Sequence, residues 1–352
     1  MAHGETAVLA QMATGLFHFH LIADELAAGY ALLAQTQPAW ASYPPALAGL
    51  LACYQGWLAF GLGEADGAHL LLQQGLAIAP APALAAYGAA VAHALGQRER
   101  AWAHIEQSLS ATQAQGDWWG AGLAFRLAGQ MATQEGEMAR GRAYSQQALA
   151  LARLVGDSWS ASLCLQTLGD VAYTVGEWGE AHRCYGEANH LHRAFGDERR
   201  TAACLHKLGL VAVATADYGR ARRLFEDCLT MQIGLDEVVG QVRAWVQLGR
   251  VARAEGAAVG AQNSFHQALR AAVAHQLPHE AVNVLQEVSH LWRELHQQQR
   301  PLPPLPTTDQ PGDYLVYQLL HQSRVLLHGQ GEPAAEQQLA QLVQAQLGNR
   351  LV

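Results

Sequence analysis

The sequence predicts an all-α chain, a right-handed superhelix of paired antiparallel helices. Three observations carry that prediction. First, Gly129, Gly169, Gly209 and Gly249 recur at a step of 40 residues, and Leu precedes three of them. Second, other ladders keep the same step: Gly96, Gly136, Gly176, Ala216 and Gly256; Ala101, Gly141, Ala181, Ala221 and Ala261; Ser108, Ala148, Ala188, Cys228 and Ala268; and the aromatics Tyr185, Phe225 and Phe265. Third, Leu and Ala dominate a chain poor in β-branched residues, which favours helix throughout. Independent ladders with one period are the mark of a repeat architecture.

One unit, residues 157–196, shows how each element arises. Asp157 and Ser158 can accept hydrogen bonds from the free N–H groups of a helix start. A first helix runs to about Val175, Gly176 breaks it, and Glu177-Trp178-Gly179 turns the chain. A second helix runs from about Glu180 to Ala194, and Gly196-Asp197 begins the next unit. Leu165, Leu168 and Ala172 form an apolar stripe on the first helix; Ala181, Tyr185 and Ala188 form the facing stripe. Small residues at 169 and 181 allow the helix axes to approach closely. A lone pair leaves one apolar face open, and the next pair closes it.

Along the chain, residues 5–36 read as one or two covering helices and 39–76 as a looser pair, together an N-terminal region 1–76. Five repeats of about 40 residues occupy 77–276, with 77–116 degenerate and 117–156, 157–196, 197–236 and 237–276 clear. The C-terminal region, 277–352, departs from the pattern. It holds a helix over 279–299 and a proline-rich strap, 301–311, that cannot be helical. Helices over 313–328 and 332–347 follow, and are expected to cap the stack.

Composition excludes several functions. The chain has 352 residues, 22 Lys+Arg against 30 Asp+Glu, and a net charge of -8. No basic excess exists to release counterions from nucleic acid or to attract anionic lipid. The charge-free run from Pro38 to Gly63 is interrupted by Pro44, Pro45 and Gln55, which fits a buried Ala-rich helix better than a membrane span. The five Cys form no paired framework and the start lacks a basic leader, so a cytoplasmic setting is expected. The His and Cys spacings offer no metal site, no frame for a catalytic nucleophile is present, and no cofactor is expected.

These residues resemble the tetratricopeptide repeat. Leu165, Leu168, Gly169, Ala172, Ala181, Tyr185 and Ala188 stand at that family's positions. So do Leu205, Leu208, Gly209, Ala212, Ala221 and Phe225, and Trp245, Leu248, Gly249, Ala252, Ala261, Phe265 and Ala268. Departures are Cys228 in place of alanine, the missing aromatic at Ala172, Ala212 and Ala252, and a unit longer than the usual ~34 residues. The longer unit and its Gly-Asp junctions (116–117, 156–157, 196–197) are similar to the sensor regions of bacterial signal-transduction ATPases and LuxR-type, maltotriose-regulator-like transcription regulators. No GxxxxGK[ST] segment and no helix-turn-helix reading head is visible, so the resemblance implies an isolated sensor or a stand-alone relative.

In that family the first helix of each pair lines the concave groove. Carried over, the groove residues are Arg126, Gln130, Gln166, Asp170, Tyr173, His206, Arg243, Arg250 and Arg253. Arg243, Arg250 and Arg253 also share a helix face by spacing alone. An excess of Arg here, in an acidic protein, points to an anionic group near 243–253; the alternative is a solvated face whose Arg residues pair with acids. Trp118, Trp119 and Trp159 are a candidate aromatic anchor, or packing between repeats. The expected function is a non-enzymatic regulatory sensor or adaptor that binds a peptide, protein segment or small anionic ligand. The alternative is a scaffold that assembles a complex or homo-oligomer through its outer face or ends, marked by an exposed apolar patch there.

Overall fold

A computed structural model describes residues 2–22, 25–79, 81–305 and 313–329, together with 337–338, 341 and 343–345. The helix expected over 332–347 and strap residues 306–311 lie outside the described residues, a few isolated positions apart. The helices are α1 (Ala2–Ile22), α2 (Leu26–Thr36), α3 (Pro45–Gly61), α4 (Ala65–Ile78), α5 (Pro82–Ala94), α6 (Arg98–Gln115), α7 (Trp118–Gln134) and α8 (Met138–Val155). They continue as α9 (Ser158–Thr174), α10 (Trp178–Phe195), α11 (Glu198–Ala214), α12 (Tyr218–Gly234), α13 (Val238–Ala254), α14 (Ala258–Ala274), α15 (Pro278–Gln297) and α16 (Asp313–Gly329). Gln37–Ser42 forms a short 3₁₀ turn, and no strand occurs among the described residues. The all-α solenoid of helix pairs is the fold class the sequence predicts.

The chain groups into two compact units, Met1–Asp197 and Glu198–Val352. In the first, the pairs α3–α4, α5–α6, α7–α8 and α9–α10 stack in order, and neighbouring first helices touch: α5 on α7, and α7 on α9. Helix α1 lies on this stack, with Phe17 stacked on Tyr54 of α3 (centroids 4.1 Å apart) and edge-on to Tyr87 of α5. In the second, α11–α12 and α13–α14 pair, α15 packs on α14 and α13, and α16 packs on α15 and α14.

Within a pair the glycine ladder sets the crossing. A Cβ at Gly169 would lie 2.5 Å from the Tyr185 ring, and one at Gly209 would lie 2.5 Å from the Phe225 ring; Gly249 faces the Phe265 ring in the same way. Phe225 and Phe265 are wholly buried. The three glycines therefore occupy one spot in three hairpins, each with an aromatic ring against its bare backbone.

The other ladders are turn positions. Gly96, Gly136, Gly176 and Gly256 are left-handed, with φ of 73°, 81°, 79° and 76°, where the first helix ends; Ala216 takes the same role at φ 58°. Gly116, Gly156 and Gly196 do this at the ends of α6, α8 and α10. In each Gly-Asp junction the glycine closes one helix and the acid is placed to open the next. Asp117 Oδ1 accepts from Gly120 N–H and Asp157 Oδ1 from Ser160 N–H, both at 2.9 Å.

The described part of the strap sits on the second unit's own core. Leu302 and Leu305 pack against it, and Pro304 O accepts from Gln262 Nε2 of α14 at 2.5 Å. Gln262 Oε1 in turn accepts from the buried Trp292 indole at 3.0 Å.

Three substitutions test this packing through stability. Replacing Gly209 by Ala should cost about 1–3 kcal/mol, because a buried ring must move. Gly186→Ala, at a mid-helix glycine with open space around it, should gain about 0.5–1 kcal/mol. Urea midpoints that shift in the same direction for both would contradict the crossing described above. Ala216→Gly should stabilise by about 1 kcal/mol, since a left-handed alanine is strained; a lowered melting temperature would count against it.

Candidate functional site

The first-helix face is built by helical spacing. On α7 it carries Trp119, Arg126 and Gln130; on α9, Trp159, Gln166, Asp170 and Tyr173. Several of these residues are engaged inside their own helix pair. Asp170 Oδ1 accepts from the Tyr185 hydroxyl at 2.7 Å, which fixes the ring that lies against Gly169. Gln166 Nε2 is 2.7 Å from Nε2 of His192, a wholly buried residue of α10 whose Nδ1 is 3.8 Å from the Asp197 carboxylate. Tyr173 packs edge-on against Trp178, with centroids 5.1 Å apart. Gln130 is exposed.

Arg126 differs from its neighbours. It is only 7% exposed, and its Nε is sealed from solvent without a hydrogen bond. Burial pushes the Cys164 thiol of α9 up to about 12 and raises the Tyr87 phenol of α5, and the positive charge of Arg126 opposes both shifts. The guanidinium is thus felt by the helices on either side of its own. Asp157 also acts on Cys164 and Tyr87, but its carboxylate caps α9.

The tryptophans separate. Trp118 is 51% exposed, whereas Trp119 and Trp159 are half-buried against the first unit's core. The His18 ring of α1 meets Trp119 edge-on, with centroids 6.1 Å apart. Burial lowers the His18 pKa, and Asp157 partly restores it.

In the second unit the Arg face meets acids from α15. Arg250 pairs with Glu287 at 2.6 Å, Arg253 with the same carboxylate at 3.6 Å, and Arg243 with Glu280 at 3.5 Å. His206 packs edge-on against Phe225, with centroids 5.4 Å apart. Its pKa is pushed down to about 4, first by burial and then by Arg243, Lys207 and Arg250. His206 is therefore neutral near pH 7, between flanking positive charges.

Sequence reasoning missed two features. One is the acid pair on α15, which carries neither the glycine nor the aromatic of the earlier ladders. The other is an apolar cavity of about 310 Å³ in the first unit, lined by residues that include Leu9, Met12 and Leu16 of α1, Leu33 of α2, and Leu47 of α3. Its signal in the sequence is a spacing of apolar residues on α1. Leu9, Met12, Leu16 and Phe19 share one face and stay exposed. All five cysteines are buried, and Cys53 and Cys184 are pushed up to about 12 and Cys228 to about 11, chiefly by desolvation. Cys53, Cys164, Cys184 and Cys228 are therefore neutral thiols at pH 7. Among the described residues no helix is long and apolar enough to cross a membrane.

No protein-family model matches the chain, and no curated protein does. Solved structures do. The apo form of RapI is similar at a TM-score of 0.60 and 10% identity, over 97% of this chain and 98% of that one. NprR in complex with its cognate peptide NprX is similar at 0.51 and 13%, over 80% and 85%. A signal-transduction ATPase with a tetratricopeptide repeat sensor, from Pyrococcus horikoshii, is similar at 0.59 and 12% over 96% of this chain. This chain spans about half of that protein, 46% of its length. At such identities the likeness is one of fold, and the fold is that of tetratricopeptide-repeat proteins.

Proposed function

We propose that the chain is a non-catalytic binding module, a regulatory sensor or adaptor that takes a peptide or protein segment on its first-helix faces. The observation that carries this reading is the composition of those faces. In the first unit they carry Gln130 and Tyr173, and in the second His206 and the Arg243–Arg253 cluster. NprR, which shares the fold, is solved with a bound peptide. The ion pairs of Arg250 and Arg253 with one carboxylate leave this face mixed in charge, which suits exchange of Glu287 for an acidic side chain of a ligand.

A scaffold is the second reading, favoured by the apolar row Leu9, Met12, Leu16 and Phe19 on α1. On this reading the row meets another copy or another protein.

The two readings part in one experiment. Peptides selected from a random display library against the wild type are titrated against Tyr173→Ala and against Arg250→Ala/Arg253→Ala. At least one variant should weaken binding about tenfold, or about 1.4 kcal/mol, with a reduced salt dependence for the Arg variant. Unchanged affinities, together with wild-type self-association abolished by Met12→Glu/Leu16→Glu in sedimentation, would replace the first reading with the second.

The charge state of the second unit's face has its own check. His206 is depressed in the folded chain, so its contribution to stability is complete above about pH 6.5 and is lost as pH falls toward 4. Relative to wild type, His206→Gln should lose about 1–2 kcal/mol less on going from pH 7 to pH 5. Parallel stability–pH curves for the two proteins would remove the neutral His206 from this account.

A further inference from the structure

Each helix pair supplies one residue at the register of position 126. At 166 it is Gln166, bonded to His192; at 206 it is His206, against Phe225; at 246 it is Val246, packed on the second unit's core. Arg126 stands apart. It is more than nine-tenths buried, Nε is unbonded, and no carboxylate among the described residues pairs with it. Asp157, whose charge reaches the same neighbouring groups, is engaged with the α9 N-terminus.

A guanidinium largely withdrawn from water, with Nε unbonded and without a counter-charge, is a costly arrangement. The other Arg residues of the first-helix faces, Arg243, Arg250 and Arg253, all have acids. Arg126, the Arg without one, is therefore a second place where an anion is called for. Its surroundings fit a specific kind of group. Tyr87 of α5 and Cys164 of α9 lie within reach of its charge, and burial keeps both neutral at pH 7 and unable to supply negative charge. Trp119 lies two turns away on the same face of α7, half-buried. A planar fork in apolar surroundings recognises an oxyanion through two parallel N–H···O bonds, and there the bonds are not diluted by solvent.

We propose that Arg126 is the anion subsite of the first unit, binding one carboxylate or phosphate group of a ligand whose apolar part lies toward Trp119. This rests on reading the first-helix face as a binding surface, and it adds, in the first unit, an anionic contact separate from the exchangeable one at 243–253.

The test is a melting-temperature titration with inorganic phosphate and, separately, acetate, against sodium chloride of equal ionic strength. It is run on wild type, Arg126→Met, Arg126→Lys and Arg250→Ala/Arg253→Ala. Wild type and the double variant should show a saturable rise of several degrees with at least one oxyanion, and the anion that acts tells a carboxylate site from a phosphate site. Arg126→Lys should respond weakly, since it keeps the charge without the fork. Arg126→Met should melt higher than wild type in chloride and should not respond. A rise equal in wild type and in both Arg126 variants would overturn the assignment, as would a rise lost only in the Arg250/Arg253 variant or no rise in wild type. Arg126→Lys keeps the test decisive if Arg126→Met fails to fold. Peptide selection reports separately on the binding reading. Peptides that bind Arg126→Lys as tightly as wild type would leave that reading standing and remove this one. An oxyanion response in a protein that selects no peptide would do the reverse.

Discussion

The contact on which the rest depends is an aromatic ring laid against a bare backbone. Gly169 with Tyr185, Gly209 with Phe225, and Gly249 with Phe265 bring two helices closer than any side chain at the glycine would permit. A shared separation of 16 residues between glycine and ring fixes the register of each hairpin, and with it where the turn must fall. The turn needs a left-handed residue, which is why a second ladder of glycines runs beside the first. The third clear pair follows the rule at a cost, with Ala216 held at φ 58°. In α7–α8 the crossing is built without a ring. Gly129 faces Ser145 and Gly141 faces Thr133, so close approach is kept by two small contacts instead of one large one.

That crossing also decides which polar residues are free to do something else. The Tyr185 ring needs its hydroxyl satisfied, and Asp170 on the first-helix face does this. His192 is sealed in the pair and Gln166 reaches it from the same face. The tetratricopeptide resemblance places Asp170 and Gln166 in the same groove as Arg126, yet their hydrogen bonds point back into the fold. Polar character on a face is therefore a poor guide to ligand contact unless the far ends of the side chains are followed.

How much was legible follows from the same physics. The crossings and turns impose a residue type at a fixed step, so helix pairs and the core ladders could be read directly, although the turn is tighter than expected: Trp178 and Gly179 belong to α10, which begins at Trp178 and not at Glu180. The acids that meet the Arg face could not, because α15 carries Ser289 one period after Gly249 and no aromatic ladder leads to it. Glu280 and Glu287 then look like ordinary surface charge until α15 is seen to pack on α13. The burial of Arg126 was hidden for another reason. Its charge reaches Tyr87 and Cys164 on adjacent helices, a juxtaposition that only stacking creates. The cavity at α1 and α2 lies outside the period altogether.

Arg126 and the Arg243–Arg253 cluster then illustrate two ways of carrying positive charge. Arg243 and Arg250 are 65% and 44% exposed, so water screens them and each acid contact is worth at most about 1 kcal/mol. Such a face can trade one anion for another at little cost, which favours breadth over selectivity. A buried guanidinium has no such freedom. Desolvation of a guanidinium costs on the order of several kcal/mol unless a counter-charge arrives, so an anion that reaches it offsets part of that cost. The same arginine chemistry therefore suits loose steering where it is wet and selective retention where it is dry. Burial, rather than the number of positive charges, separates the two.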